Sequence, residues 1–509
     1  MHVSAGEHKI AGSSSAYASP AFSIRATSSQ HPLHDPRLSE RVGRVAIIGG
    51  GITGLSAAQR LAEKSPATDV TIFESSDRLG GVVQSTPQDG FLFEHSADSF
   101  IVSDELPWAG QLCEQLGVPL METSEKYRGA QILRGKKFYP VPDGLQLMTV
   151  NSIASVFMSP LLSWRGKLRL AAEALVPQKR DDEDESLEQF AVRRFGREMF
   201  DRIVQPLVAG IYTADPAKLS LAAALPQYAA LEKKYGTIAR AAAANTANVK
   251  DRGARYSLFR TPVDGMESLL TAFSNKLSSV SIRKSVKVTS LDRPETATGG
   301  GSWQVRLADG SCEEFDAIIC TVPVPKVAEL VSGICAPLAS ATAGIECVST
   351  AIACLGYRRE QVGHAMNTFG CVIPSIENRK LLAVSFTNVK FPSRAPEGHA
   401  LLRAFVGGAL QPELAELDDD AMLRIIKSEL QDLMGVQGDP VTYKIVRWPR
   451  TTPQYHLGHL ERLKEIETQV ELLPGFELAG NGYRGVGIPQ CVRSGWQAAD
   501  RLLEWQPAS

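Results

Sequence analysis

Arg44-Val-Ala-Ile-Ile-Gly-Gly-Gly-Ile-Thr-Gly-Leu-Ser-Ala-Ala58 sets a short apolar run directly before Gly49-x-Gly51-x-x-Gly54 and a small-residue helix. The pattern predicts a strand, a tight turn and a helix carrying Leu55, Ala58 and Leu61 on one face. Gly49 permits the turn, Gly51 admits the backbone to a pyrophosphate, and Gly54 lets the helix lie close to its strand. Gly50, Ile52 and Thr53 complete the cradle. The pyrophosphate is expected at the helix N-terminus, where unpaired N–H groups and the helix dipole favour negative charge.

Working outward, a second strand, Val70-Thr-Ile-Phe73, ends at Glu74, 20 residues after Gly54. An acid there accepts hydrogen bonds from a ribose hydroxyl and repels a 2′-phosphate. Strand, glycine turn, helix, strand and acid together read as a dinucleotide-binding unit. Ser75-Ser-Asp-Arg-Leu-Gly-Gly-Val82 then adds a second glycine turn, a habit of flavoproteins that NAD enzymes generally lack. Arg78 is expected to neutralise pyrophosphate charge, with Gly80 and Gly81 bringing backbone N–H groups close.

At 509 residues the chain is long enough for two or three domains, and a net charge of −2 without a basic stripe argues against nucleic acid. Its 8 cysteines form no C-x-x-C pair and read as mostly buried thiols of a reducing compartment. The 9 histidines are scattered, and His456 and His459 lack partners for a metal site. Residues 1–43, rich in Ser, Ala and His, contain no apolar run suited to a secretory signal. They read as a disordered extension, an over-extended start or an organelle-targeting segment.

Residues 105–240 read as mainly helical, with a capping box at Ser186-Leu-Glu-Gln189 behind a solvated acidic run, Asp181–Glu185. Residues 144–176, rich in Leu, Met and Trp with Arg165, Lys167 and Arg169 interspersed, are too broken to span a bilayer. They fit either an amphipathic core helix or a helix lying on a membrane surface. Strand patterns return over 278–325 and 347–450. Gly480-x-Gly482-x-x-Gly485 repeats the dinucleotide spacing, but only 24 residues follow it. It is read as a turn aimed at the first unit's cofactor.

Together these elements resemble the protoporphyrinogen and coproporphyrinogen III oxidase family, within the amine-oxidase-like flavoproteins. The likeness runs from Arg44 to Leu503. Its general carriers are Gly49–Gly54, Glu74, Arg78-Leu-Gly-Gly81 and Gly485-Val-Gly-Ile-Pro-Gln-Cys-Val-Arg-Ser-Gly495. More specific are Pro206–Ser220, Phe391-Pro-Ser-Arg-Ala-Pro396 and Pro453-Gln-Tyr-His-Leu-Gly-His459. The resemblance implies an α/β fold with a Rossmann-type FAD-binding domain discontinuous in sequence (44–104, 255–330 and 451–509). A helical insertion (105–225) and a mixed-sheet substrate domain (226–254 and 331–450) complete it.

The resemblance also implies non-covalent FAD. Val286 is expected against the adenine, and Val486, Gly487 and Ile488 against the isoalloxazine ring, with Trp448 flanking it. Glu94-His-Ser-Ala-Asp-Ser99 stands where the family has a Glu-x-Gly-Pro-like turn, and Arg260–Gly265 replaces a Gly-Gly turn. The first departure leaves backbone contacts as the expected use of Ser96, Ala97, Asp98 and Ser99. Arg128, Val372 and Phe391 are carried over as substrate contacts. No residue is assigned as a catalytic acid or base, and none as a metal ligand.

The implied reaction takes six electrons from a porphyrinogen, protoporphyrinogen IX or coproporphyrinogen III, in two-electron steps to FAD. Dioxygen is the terminal acceptor, and three H2O2 are released. An amine oxidase or carotenoid-type desaturase on the same scaffold is the alternative, against which the porphyrinogen-type segments weigh. A non-catalytic flavin-binding protein is a third reading. The expected location is cytoplasmic, with peripheral membrane contact and a homodimer both allowed, or an organelle if residues 1–43 are a transit peptide.

Overall fold

Five parallel strands form the sheet on which the chain is organised. In the computed structural model, which describes residues 43–150, 153–246, 258–293 and 302–505, their order is Ser281–Arg283, Asp69–Phe73, Arg44–Ile48, Ala317–Cys320 and Phe476–Leu478. Both faces of the central strands are buried, as their unbroken apolar runs require. Val45 and Ile47 point to one core, and Ala46 and Ile48 to the other. The first core is closed by helices Ile52–Lys64, Trp108–Leu116, Ser268–Lys276 and Ile488–Glu504. The second is closed by helices Val324–Val331, Ala336–Ala343 and His459–Glu471 and by a three-stranded antiparallel sheet.

Helix Ile52–Lys64 sits unusually close to its neighbours. A Cβ at Gly54 would run into the carbonyl oxygen of Gly49, and one at Gly495 would run into that of Thr53. Helices at the two ends of the chain thus pack backbone to backbone.

The second sheet has seven strands in the order Thr442–Pro453, Cys347–Arg358, His399–Gly407, Ala383–Phe386, Gly370–Val372, Gln131–Arg134 and Lys137–Pro140. All pairs are antiparallel except Gly370–Val372 with Gln131–Arg134. Helix Asp419–Met434 covers one face, with Met422, Ile426, Leu430 and Met434 against Ala351, Ala353 and Leu355. A helical region between Ile153 and Thr246 has its own core around Phe190, Phe195, Ile203 and Tyr228. Its capping box is present: Gln189 N donates to Ser186 Oγ at 3.1 Å and Ser186 N to Gln189 Oε1 at 2.9 Å.

Several segments differ from the sequence expectation because an apolar face is buried by whatever the fold brings to it, not by its sequence neighbours. Strands Gln131–Arg134 and Lys137–Pro140 lie in a stretch read as helical, yet they extend the seven-stranded sheet. Helices Pro226–Tyr235 and Ile238–Thr246, assigned to the substrate domain, pack through Tyr228, Leu231 and Ile238 into the helical core. Helix Ala336–Ala343 packs on the parallel sheet. The acidic run is solvated only over Asp181–Glu183. Asp184 accepts from Ser220 Oγ at 2.9 Å, and Glu185 pairs with Arg193. The expected extension over 1–43 lies outside the described residues apart from Gly43. All 8 cysteines are free of disulfides, and 5 are buried.

Gly495→Val is expected to force the two terminal helices apart and lower unfolding stability by about 2 kcal/mol. Chemical denaturation of the protein with and without its substitution measures this directly.

Candidate functional site at the glycine turns

The first glycine turn is built as its spacing predicts. Gly49 adopts φ +108° and donates to Phe73 O at 2.9 Å. Gly51 is the N-cap of helix Ile52–Lys64 and offers no side-chain cap, and the first turn contains no acid. The earliest bond of that helix runs from Leu55 N to Gly51 O at 3.0 Å, so the N–H groups of Ile52, Thr53 and Gly54 have no acceptor within it.

Glu74 is buried at the end of its strand. Its Oε2 accepts from Gly50 N at 2.8 Å, and its Oε1 from Ser76 N and Ser76 Oγ, both at 2.8 Å. Ser75 Oγ lies farther off, at 3.4 Å. A carboxylate has about four lone-pair sites, so Oε2 retains capacity for a ribose hydroxyl. Val286 N donates to Glu74 O at 2.9 Å, which brings Val286 beside the acid. Ser76, which sequence reasoning passed over, orients the carboxylate; a hydroxyl two residues after an acid was the available signal.

The second glycine turn lies on the first. Gly80 N donates to Gly50 O at 2.8 Å, and Gly81 rests against Gly51 Cα. Arg78 is held within the second turn. Its guanidinium donates to Leu79 O at 2.8 Å, to Val83 O at 3.2 Å and to Gly81 O. A guanidinium holding three carbonyls of its own turn acts first as a staple for that turn. Val82 is exposed at the bend, while Val83 anchors it in the core.

Segment Glu94–Ser99 is held by the seven-stranded sheet. Glu94 O accepts from Cys354 Sγ at 3.6 Å, His95 O from Trp448 Nε1 at 2.8 Å and Ser96 O from the Arg403 guanidinium. The three donors stand on three adjacent strands. The N–H groups of Ser96, Ala97 and Asp98 donate to nothing among the described residues.

Asp98 is buried between Lys390 Nζ at 2.9 Å and Arg403 Nη1 at 3.2 Å, and Ser99 Oγ bonds to both Asp98 and Lys390. Burial alone would raise its affinity for a proton, but the two cations hold it well below the usual carboxylate range. Burial, with Lys444, Arg78 and Arg403, pulls His95 down to about 4, so the ring is neutral at pH 7. The side chains of Asp98 and Ser99 therefore serve the clasp, and Trp448 is tied to the same segment.

The three substrate candidates separate. Phe391 is fully buried, with Lys390 Nζ at 5.2 Å and the Arg394 guanidinium at 5.9 Å from its ring centroid. Its ring supports the cation cluster and has no free face to wall a substrate pocket. Val372 is half-buried on strand Gly370–Val372 against the helical core. Arg128 is exposed in a loop fastened by Ser124 N to Lys390 O at 2.9 Å and by Phe369 N to Gly129 O at 3.0 Å.

Gly487 is the N-cap of helix Ile488–Glu504, again without a side-chain cap or an acid in the first turn. The Cys491 thiol is bonded to Thr53, so the first turns of the two helices meet. Val486 and Ile488 are half-buried at this junction. Two uncapped helix N-termini side by side form a strongly anion-attracting corner. The dinucleotide fits it: a Cβ at Gly51 would meet nothing within 4 Å, so the space beside the glycine is open.

A parallel sheet of this order, two stacked glycine turns and a ribose-ready acid define a dinucleotide-binding oxidoreductase. Residues 52–503 match the family of flavin-containing amine oxidoreductases, and the chain belongs to that family, with FAD as its cofactor. It is 31% identical over 480 residues to coproporphyrinogen III oxidase of Bacillus subtilis (strain 168), covering 92% of this chain and 99% of the relative. It is 28% identical over 492 residues to protoporphyrinogen oxidase 2, chloroplastic/mitochondrial, of Arabidopsis thaliana, covering 91% and 94%. The crystal structure of an Exiguobacterium sp. 255-15 protein, assigned as a protoporphyrinogen oxidase, superposes with a TM-score of 0.80 at 26% identity, covering 91% and 99%.

Gly51→Val separates binding from folding. Gly51 has an ordinary φ of −72° and open space at its Cβ, so the apoprotein is expected to keep its melting temperature while losing FAD. Flavin absorbance after gel filtration, beside a thermal melt of the apoprotein, gives both readings.

Proposed function

We propose that this chain oxidises a porphyrinogen, protoporphyrinogen IX or coproporphyrinogen III, to the porphyrin with dioxygen as acceptor, as a step of tetrapyrrole synthesis. The observation that carries the reading is the 31% likeness to a coproporphyrinogen III oxidase over 92% of the chain. Two of its three porphyrinogen-type segments, Pro206–Ser220 and Pro453–His459, also meet in the fold. Ser220 N donates to Tyr455 O and Leu457 N to Lys218 O, each at 2.8 Å.

FAD, when bound, accepts hydride two electrons at a time and passes the electrons to dioxygen. Aromatising the macrocycle removes six electrons and consumes three O2, giving three H2O2. The chain's own residues bind and orient. Glu74 and the uncapped helix of Ile52–Lys64 hold the dinucleotide, and the Glu94–Ser99 clasp fixes the wall between the two sheets. Neutral His95 adds no charge to that wall, and the Asp98 carboxylate is held by Lys390 and Arg403. Val372 and Arg128 remain the proposed substrate contacts, as a wall and a propionate partner.

The test compares both porphyrinogens under air, following porphyrin fluorescence and peroxide together, and then bleaching of the flavin without oxygen. Porphyrin and peroxide are expected in a 1:3 ratio. A yellow protein reduced by an amine and by neither porphyrinogen would overturn the reading.

Peripheral membrane contact is part of the same proposal. No helix among the described residues is long and apolar enough to cross a membrane. Helix Trp164–Ala171 buries only Gly166. Met158, Trp164, Leu168 and Leu175 are 85%, 66%, 56% and 85% exposed. Arg165 is exposed beside them, and Lys167 is half-exposed. The stretch is anchored from behind by buried Glu173, which accepts from Arg194, from Ile238 N at 2.9 Å and from Ala239 N at 3.0 Å. Apolar and basic side chains on one anchored surface suit an anionic bilayer. Vesicles containing phosphatidylglycerol are expected to sediment the protein, and pure phosphatidylcholine vesicles to do so less. Retention unaffected by Trp164→Ser with Leu168→Ser would reject this surface.

A further inference from the structure

The turn between Gly480 and Gly487 leads the chain from the last parallel strand into the N-terminus of helix Ile488–Glu504. Its glycines give it little stiffness of its own, since Gly480 and Gly485 adopt φ +140° and +119°. Something outside the turn must fix its path. Two stacked rings do so.

Tyr455 is fully buried, and its ring lies 4.2 Å from that of His459 at an interplanar angle of 17°. The Tyr455 hydroxyl donates to Asn481 O at 2.6 Å and accepts from Gly485 N at 2.8 Å. His459 Nε2 donates to Tyr483 O at 3.0 Å. Residues 481, 483 and 485 are thus each gripped from one stack. Burial pushes the Tyr455 phenol up, so its hydroxyl keeps its proton, and pulls the His459 imidazole down toward the neutral ring, whose N–H stands on Nε2 because the carbonyl of Tyr483 can only accept.

The stack is itself seated on other parts of the molecule. Tyr455 follows strand Thr442–Pro453 of the seven-stranded sheet, and its carbonyl accepts from Ser220 of the helical region. We infer that Tyr455 is a positioning residue: its hydroxyl, seconded by His459, sets the path of the 481–487 turn and so the placement of Val486–Ile488 against the flavin. The inference rests on the reading that this turn meets the flavin. It gives the Pro453–His459 segment a task in the cofactor site.

The test uses the holoenzyme. Tyr455→Phe keeps the ring and removes the one atom that serves both bonds. It is expected to raise the FAD dissociation constant about tenfold, the scale of two ordinary hydrogen bonds lost, and to change the visible circular dichroism of the bound flavin. Tyr212→Phe is the control, because that hydroxyl, 2.7 Å from Ala224 O in the same cluster, does not touch the turn. It is expected to leave FAD affinity and the flavin spectrum unchanged.

Wild-type affinity and spectrum in Tyr455→Phe, or equal changes in both variants, would overturn the inference. If Tyr455→Phe does not fold, His459→Phe carries the test. It keeps the stack and removes the bond to Tyr483, so a smaller change in the same direction is expected, and an unchanged flavin overturns the proposal. Gly487→Ala separates the two readings. A flavin signal that moves with Gly487→Ala and not with Tyr455→Phe leaves the turn beside the flavin and removes Tyr455 from the role. A signal that moves with neither removes the turn from the flavin.

Discussion

Backbone meeting backbone at two glycines is the constraint on which this structure depends. Gly54 lets the first helix settle on the carbonyl of Gly49, and Gly495 lets the last helix settle on that of Thr53. Any side chain at either place would lift a helix away. With both in place, two uncapped N-termini come together, and the glycine turn of 80–81 lies on that of 49–51. The anion-attracting corner is therefore a by-product of close packing: removing side chains brings helices together and leaves N–H donors pointing outward.

A second organising feature is charge. The clasp around Asp98 joins the parallel-sheet domain to the seven-stranded sheet through Lys390 and Arg403. Buried ion pairs rarely add much net stability over apolar packing, but breaking one strands a charge in the interior. Such a junction tolerates few alternative arrangements. Together with the carbonyl contacts from Cys354 and Trp448, it fixes the angle at which one sheet faces the other.

What was legible in the sequence was local. The spacing of Gly49, Gly51 and Gly54, the acid at Glu74 and the capping box at Ser186 each need only a few neighbouring residues to express their geometry. The features that escaped depend on where the fold turns a side chain, which spacing in sequence does not reveal. Nothing near Arg78 in sequence shows that its guanidinium turns back onto its own carbonyls. Lys390 and Arg394 flank Phe391 in sequence, but nothing there shows that the ring is buried and that both cations close on it. Nothing near Tyr455 shows that its hydroxyl reaches Asn481 and Gly485. The Pro453–His459 segment was recognisable by resemblance, while its physical task became visible only once the fold set it against the C-terminal turn. The domain boundaries slipped for the same reason, since strands at 131–140 and helices at 226–246 choose partners by burial.

The parallel sheet takes its strands from residues 44–73, 281–320 and 476–478, and its covering helices run to Glu504. Translation proceeds from the N-terminus, and domains generally fold as their chain emerges. This one has no such option. Its fingerprint leaves the ribosome early and waits for strand Phe476–Leu478 and helix Ile488–Glu504, so the FAD site is complete only once those residues have been made. Until they are made, strand Ala317–Cys320 has one edge without its neighbour, and the core on the first face of the sheet stands open where helix Ile488–Glu504 will close it.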